Sequence, residues 1–367
     1  MSPVMILPNL MFAILGAAAN TSITLSNTHL PLDATGRPII TGETSVLPHP
    51  EKDGFFLYYV NLWGSCPSVD CCPSPDGCAS CCYVPSTSAY NDTCVFADHH
   101  TVYVYETNLT YWSEPVAVLP PSARTPGIEF RPHVVFAQGK YVMWFENRPA
   151  PIASSGYAVA TSLSPKGPFH VLHAKVAVAD VPGDFDILLD EDGRCWHVQT
   201  TTNDPHATKG FVVTQLNGGC TSPAHPIKSA KFEAPLPAEG PVFFKRKNYY
   251  YILGGTTCCA CRGGSSIYVF RSQAPLGPWS YVGDIGSVTG HVFDKHDPNN
   301  YVTRAQASAV FSVGNDQYLW LGNQWVTSGR RDSSLLYWFV LDWNDKDEPS
   351  QVQRSNTTSV MLISQLE

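Results

Sequence analysis

An aromatic-rich strand recurs five times along the chain, and this repeat restricts the fold more than any other feature. Residues 55–60, 141–145, 195–199, 249–253 and 317–321 are the five copies. Measured between Tyr59, Tyr141, Trp196, Tyr250 and Tyr318, the copies lie 82, 55, 54 and 68 residues apart. The long first interval contains a cysteine-rich segment, which we interpret as a loop insertion.

A second marker repeats with the same period. Trp112, Phe169 and Trp279 close three of the units, and the last two follow a Gly-Pro pair. The separations are 57 residues and then 110, or two periods of 55. Units of this length fit four short strands each, and five such units predict a closed five-bladed β-propeller. We therefore expect one all-β domain without helices, because closure leaves no long sheet edge to cover.

The composition agrees with this fold and excludes some functions. Charged residues make up 15% of the chain, and 27 Gly and 30 Pro accompany 9 Trp, 17 Tyr and 17 Phe, as expected for short strands joined by turns. The net charge is −8, and the longest basic run is Lys245-Arg246-Lys247. Nucleic-acid binding needs a concentrated positive surface, so we expect none.

The start of the chain predicts export. Residues 1–19 are apolar and end in Gly16-Ala17-Ala18-Ala19, which is typical of a signal peptide cleaved before a mature domain of residues 20–367. A buried strand or a membrane anchor is the alternative. Four N-x-S/T sequons, at Asn20, Asn91, Asn108 and Asn356, also favour secretion. We expect an extracellular, monomeric glycoprotein without membrane contact once the leader is removed.

Twelve cysteines point to disulfides. In an exported chain an even number favours a disulfide framework, and here we expect disulfide-rich loops at one end of the propeller that frame the ligand pocket. The spacing of Cys78 and Cys81 also suits zinc, but no second clean pair completes four ligands, so we predict no metal site. The candidates are Cys66, Cys71, Cys72, Cys78, Cys81, Cys82, Cys94, Cys195, Cys220, Cys258, Cys259 and Cys261.

Polar residues open the repeating units about ten positions before each aromatic strand. Glu129 and Arg131, Asp184 and Asp186, Glu239, and Gln306 hold these positions in the second to fifth units. The symmetry of the repeat predicts that they converge on the propeller axis. Convergent carboxylates suit glycoside cleavage, in which one carboxyl donates a proton to the leaving oxygen. They could also be turn residues, as we expect for the acidic run before Gly193.

The motifs around these positions resemble glycoside hydrolase family 43, and most closely its exo-β-1,3-galactanase branch. The matching segments are Arg131-Pro132-His133-Val134 with Tyr141-Val142-Met143-Trp144, residues 184–193, Glu239-Gly240-Pro241 with Phe244-Lys245-Arg246, Gly277-Pro278-Trp279, and Ala305-Gln306-Ala307-Ser308. The resemblance implies a five-bladed propeller that hydrolyses O-glycosidic bonds.

The resemblance also implies residue roles. Glu239 matches the general acid, and Asp184 matches the aspartate that orients that acid and tunes its pKa, with Asp186 as the alternative. Gln306 matches a glutamine that takes the place of the usual base as its imidic tautomer. Glu129 resembles a sugar-binding glutamate, and Arg131 belongs to the same motif. Here, however, Phe130 separates Glu129 from Arg131, and one inserted residue turns a strand side chain to the opposite face.

The first unit departs from the family pattern. It reads Ile40-Thr41-Gly42-Glu43-Thr44-Ser45, and Glu43 could occupy the position of the usual base. Two carboxyl groups would then flank the scissile bond at about 6.5–9.5 Å, the separation of inverting glycosidases. If Glu43 points elsewhere, Gln306 must act, or the protein is a non-hydrolytic relative.

Three tryptophans, Trp63, Trp144 and Trp325, could offer faces for stacking on sugars, with a core role as the alternative. The function that we predict is release of terminal sugars from a β-galactan or related plant or algal polysaccharide, with inversion. The alternatives are a carbohydrate-binding propeller without activity, an arabinofuranosidase or xylosidase of the same family, and an adhesion scaffold. No cofactor motif is evident.

Overall fold

The computed structural model describes residues 19–61, 83–84, 89–90, 102–119, 128–148, 156–178, 182–201, 210–256, 264–288, 300–324 and 334–364. All of the regular structure in these ranges is β-strand. Among them, no helix is long and apolar enough to cross a membrane. Residues 1–18 of the predicted leader, which spans residues 1–19, lie outside the described part of the chain, and Ala19 is the first residue of β1.

The strands form five blades in chain order. After β1 (Ala19–Ser26), the first blade contains β2 (Thr44–Pro48), β3 (Phe56–Asn61), β6 (Val102–Thr107) and β7 (Val116–Leu119), with a small hairpin, β4 (Tyr83–Val84) and β5 (Ala89–Tyr90), between β3 and β6. The second blade contains β8 (Ile128–Ala137), β9 (Lys140–Arg148), β10 (Gly156–Ser162) and β11 (His170–Val176). The third contains β12 (Phe185–Leu189), β13 (Cys195–Thr200), β14 (Gly210–Gln215) and β15 (Ser229–Glu233).

The fourth and fifth blades complete the ring. The fourth contains β16 (Ala238–Arg246), β17 (Tyr249–Thr256), β18 (Tyr268–Ser272) and β19 (Ser280–Asp284). The fifth contains β20 (Gln306–Gly314), β21 (Gln317–Gln324) and β22 (Leu335–Val340). The last strand, β23 (Thr357–Ser364), pairs antiparallel with β1, so the two ends of the chain close the propeller together. The side chain of Asn27, just after β1, bonds to both the N–H and the carbonyl of Trp338 in β22.

The five-bladed propeller predicted from the repeat is confirmed. Each aromatic repeat is the second strand of a blade, namely β3, β9, β13, β17 and β21. These strands are almost wholly buried because both of their faces pack against neighbouring blades; all six residues of β3 and of β13 are buried. The predicted acidic turn is also present, since Gly193 donates its N–H to the carbonyl of Asp190 between β12 and β13.

The core consists of apolar layers between successive blades. Tyr59 of the first blade packs in one layer with Met143 of the second. The layer between the second and third blades contains Trp144 and Phe185. The final layer joins the fifth blade to the first and includes residues of β1 and β23. Burial of these side chains, at roughly 25 cal/mol per Å² of apolar surface, holds the separate sheets together as a ring.

All five innermost strands run in the same direction along the axis. They begin at one face of the ring, where Glu43 precedes β2, Asp184 precedes β12 and Gln306 starts β20. Because β3 and β17 are antiparallel to their inner neighbours, they end at this face too. The cysteine-rich loops follow those ends, but they lie outside the described residues, as do ten of the twelve cysteines. The remaining pair, Cys195 and Cys220, forms a disulfide at the far end of the third blade.

Candidate active site

Polar side chains from all five blades meet where the inner strands begin. The residues are Glu43, Arg131, Asp184, Glu239 and Gln306, one from each blade in order. Asp184 and Glu239 are partly exposed, whereas Glu43, Arg131 and Gln306 are buried. The two partly exposed carboxylates therefore face the solvent side of the site, and the three buried groups support them from below.

Gln306 bridges the two partly exposed carboxylates. Its Nε2 donates a hydrogen bond to Oε1 of Glu239 over 3.1 Å and lies 3.4 Å from Oδ2 of Asp184. The same Asp184 oxygen accepts the backbone N–H of Gly240 at 3.0 Å. Asp184 thus contacts both the strand that carries Glu239 and the strand that carries Gln306, and one small network fixes the three residues relative to each other.

A β-bulge after Glu239 allows this contact. In the β16–β17 ladder Glu239 pairs with Gly255 but Val242 pairs with Leu253, so two residues of β16 oppose one of β17. Gly240 within the bulge has a φ of +63°, which disfavours side chains. A Cβ at this position would lie 3.4 Å from Nε2 of Gln306, in contact with the amide, so the positive φ rather than a lack of space favours glycine here.

Arg131 lies beneath the site and connects its own blade to three others. Its guanidinium pairs with Oδ2 of Asp184 at 3.2 Å and donates to the carbonyl of Ala307, beside Gln306, at 3.3 Å. Its backbone N–H donates to Oε2 of Glu43 at 2.9 Å. The backbone at Arg131 has a φ of +48°, in the left-handed region, at a bulge in which two residues oppose one of β9. This strained conformation aims the N–H at Glu43.

Burial disfavours the charged form of Glu43. Burial raises the pKa of Glu43 to about 8; the charge of Arg131 opposes the shift, and the nearby carboxylates of Asp184 and Glu146 add to it. A neutral carboxyl cannot remove a proton from water. The arrangement therefore does not favour Glu43 as the base at neutral pH, although its position beside Arg131 brings it into the site.

Trp144 does not offer a face to a ligand. Its side chain is fully buried between the second and third blades, and its Nε1 donates to the carbonyl of Cys220. The prediction of sugar stacking at Trp144 is wrong, because both faces of a second strand are covered in a propeller. Trp63 and Trp325 lie outside the described residues, and so does the side chain of Glu129.

The Asp186 carboxylate makes its contacts away from Glu239 and Gln306. Its carboxylate contacts Nδ1 of His133 at 2.8 Å and accepts the backbone N–H groups of Ile187 and Phe243 at 2.6 and 2.7 Å. These three contacts place it one step further along the axis than Asp184. Asp184, and not Asp186, is the aspartate that contacts Gln306.

Sequence reasoning missed three groups around the site. Glu146 in β9 is buried within electrostatic reach of Glu43. It follows an aromatic strand in the sequence, where nothing marks it as a site residue. Asn323 in β21 donates to the carbonyl of Gly42 and, at 2.7 Å, to Oγ of Ser308. His133 was noted only as part of a motif. In the described part of the chain, no three His, Cys, Asp or Glu side chains group as metal ligands would.

The sequence itself identifies the family. The profile of glycosyl hydrolases family 43 matches residues 93–331, which is well over half of the chain. The chain belongs to glycosyl hydrolases family 43. The match begins within the first blade, after Glu43, so the departure of that blade from the family 43 pattern lies outside the matched region. No match was found among curated proteins.

Solved structures of family 43 share the fold at low identity. A family 43 β-1,3-galactosidase is 17% identical, with a TM-score of 0.68, and the match covers 92% of this chain and 63% of that one. An exo-β-1,3-galactanase from Clostridium thermocellum is 18% identical, with a TM-score of 0.66, and the match covers 94% of this chain and 68% of that one. The exo-β-1,3-galactanase from Phanerochaete chrysosporium, solved with galactose, is 19% identical, with a TM-score of 0.66, and the match covers 90% of this chain and 67% of that one. The chain thus spans about two thirds of the length of these proteins.

Proposed function

We propose that this family 43 protein is a secreted, monomeric exo-glycosidase that releases galactose from a β-1,3-galactan with inversion of the anomeric centre. The observation that carries the proposal is the contact of Glu239 and Asp184 with one amide, that of Gln306, at the open face of the ring. When two carboxyl groups lie in one partly buried site, one can act as the proton donor and the other as its charged partner.

Glu239 is the proposed general acid. It is partly exposed, so it can reach a glycosidic oxygen, and it lies beside the Asp184 carboxylate. A neighbouring negative charge disfavours loss of a second proton, which keeps an acid protonated to higher pH. Asp184 itself is ion-paired with Arg131.

Gln306 is the proposed site of water activation. Glu43 is neutral below about pH 8 and its carboxyl is buried, so Gln306 is the better candidate of the two. Its amide already contacts the proposed acid. A water molecule placed between the sugar and this amide would require Gln306 and Glu239 to separate when substrate enters.

The choice of a galactan rests on similar proteins. Three of the structural neighbours are described as acting on β-1,3-linked galactose, and the fungal enzyme has been solved with galactose and with β-1,3-galactotriose. The galactotriose complexes are of variants in which one glutamate is replaced by glutamine or alanine.

The test is to incubate the protein with β-1,3-galactan, arabinan and xylan and to follow the released sugar and its first-formed anomer by NMR. We expect α-galactose from the galactan alone. Glu239→Gln should lower turnover by about 10²–10⁴-fold while the ligand still binds, because only proton donation is lost. Glu191→Gln, whose side chain is 89% exposed near the far end of the third blade, is the matched control. Binding without release by the unaltered protein would favour a carbohydrate-binding propeller, and β-galactose as the first product would exclude inversion.

A further inference from the structure

A histidine–aspartate pair lies directly beneath the proposed catalytic residues. Nδ1 of His133 is 2.8 Å from Oδ1 of Asp186, and both side chains are buried. The pair joins β8 to β12, and the imidazole also packs on the ring of Phe185 at 5.1 Å between centroids. The proposed chemistry uses neither residue directly.

Asp186 holds the strand that carries Glu239. Its Oδ2 accepts the backbone N–H of Phe243 at 2.7 Å, while Asp184 accepts the N–H of Gly240 at 3.0 Å. The two carboxylates of one blade therefore bind β16 within the bulge that follows Glu239 and just beyond that bulge. Because β12 and β16 belong to separate sheets, these two contacts set the height of Glu239 relative to Asp184.

His133 faces a channel on its other side. It lines a cavity of about 440 Å³ along the propeller axis, to which all five blades contribute. The lining continues to Pro48 and Glu191, which lie at the end opposite the site. Among the described residues, none bonds to Nε2 of His133. The imidazole therefore contacts the channel side of the ring of blades, behind the proposed catalytic residues.

We propose that His133 and Asp186 are a positioning pair for Glu239. This inference rests on the proposed function. The imidazole N–H fixes the Asp186 carboxylate, and that carboxylate fixes β16. The charged or titratable groups around the pair are Arg131 on β8, Asp184 beside β12, His197 on β13 and Glu43 before β2. Of these, only Arg131 supplies a permanent positive charge.

The test compares His133→Leu, which removes the donor, with His133→Asn, whose amide can still donate to Asp186. The matched control is His49→Leu, because His49 is another buried histidine near a glutamate, Glu106, at 3.7 Å, away from the site. For His133→Leu we expect kcat to fall about 10-fold or more with KM changed less than about 3-fold.

The outcomes separate this inference from the proposed function. His133→Asn should recover most of kcat, and His49→Leu should lower only the melting temperature. If His133→Leu also changes only the melting temperature, the pair is structural and the inference is overturned. If the unaltered protein has no turnover, the proposed function fails, and the same variants are compared for binding of β-1,3-galactobiose across pH. An unchanged binding profile in His133→Leu would then overturn the inference as well.

Discussion

Nε2 of Gln306 donates to Oε1 of Glu239 over 3.1 Å, so the proposed water-activating amide and the proposed acid are in direct contact. Inverting glycosidases keep their two groups about 6.5–9.5 Å apart so that sugar and water fit between them. The contact therefore belongs to the sugar-free state. Entry of a sugar must replace this hydrogen bond, and the anchoring of Gln306 and Asp184 decides how far the two groups move apart.

Replacement of Gln306 tests its role in activating water. For Gln306→Ala we expect turnover to fall by about 10²–10⁴-fold, because water loses the group that orients or deprotonates it. Azide needs no deprotonation, so it should restore turnover and give the inverted galactosyl azide, followed by NMR. Gln317→Ala, at the far end of the fifth blade, should leave turnover unchanged. Loss of activity without azide rescue would assign Gln306 a purely structural role.

The Glu43→Gln variant tests whether Glu43 is a buried neutral carboxyl or the catalytic base. Because the pKa of Glu43 is raised to about 8 in the folded protein, its contribution to stability is complete below its ordinary pKa of 4.5 and is lost as pH rises to 8. Glutamine avoids this loss. We therefore expect the variant to gain stability relative to the unaltered protein between about pH 5 and pH 9, by on the order of 3–5 kcal/mol in urea denaturation.

The same variant reports on catalysis. Turnover of Glu43→Gln should stay within about 3-fold of the original below about pH 7, since a neutral carboxyl and an amide act alike there. Glu51→Gln, on the exposed loop after β2, is the control for both measurements. If turnover at about pH 6 instead drops by roughly two orders of magnitude, Glu43 is the base.

The repeat was sufficient to predict the number of blades and the identity of their second strands. It works because every second strand is buried between neighbours and so must be aromatic or aliphatic. The same symmetry placed Asp184, Glu239 and Gln306 at one face, and the structure brings these three into contact. Their chemical roles remain predictions.

Other features could not be predicted from the pattern. The hydrogen bond from the backbone N–H of Arg131 to Glu43 depends on a bulge and a left-handed backbone conformation. The sequence of β8 does not indicate either feature. The burial of Trp144 was missed because an aromatic side chain in a strand looks the same in sequence whichever face it takes. Glu146 was missed since one carboxylate after five apolar residues resembles the end of a strand.

The disulfide between Cys195 and Cys220 should stabilise the third blade. It closes a loop with a sequence separation of 25 residues, for which chain entropy predicts about 3–4 kcal/mol. We expect the double variant Cys195→Ala and Cys220→Ala to lose that amount in urea denaturation. Its turnover at room temperature should be unchanged because the disulfide lies at the end of the blade away from Glu239. A loss below about 1 kcal/mol would show that packing against Trp144 holds this region without the bond.

His197 should make the fold sensitive to acid. It is buried on β13, its ring stacks on Phe185 at 5.3 Å, and within the described residues neither of its nitrogens has a hydrogen-bond partner. Burial lowers the pKa of His197 to about 3, and the nearby His133 adds to the shift. The unfolded chain takes up a proton near pH 6.5, so the stability from neutral His197 is present above that pH and is lost as pH falls towards 3.

Phenylalanine at this position keeps the aromatic packing and removes the titration. We expect His197→Phe to be more stable than the unaltered protein at about pH 4 by about 3 kcal/mol beyond any difference at about pH 7.5, measured by urea denaturation. His173→Phe, on the exposed face of β11, should shift stability equally at both pH values. If His197→Phe also gives the same difference at both, a partner for the imidazole must stabilise its charged form, and acid sensitivity must come from the carboxylates around Arg131.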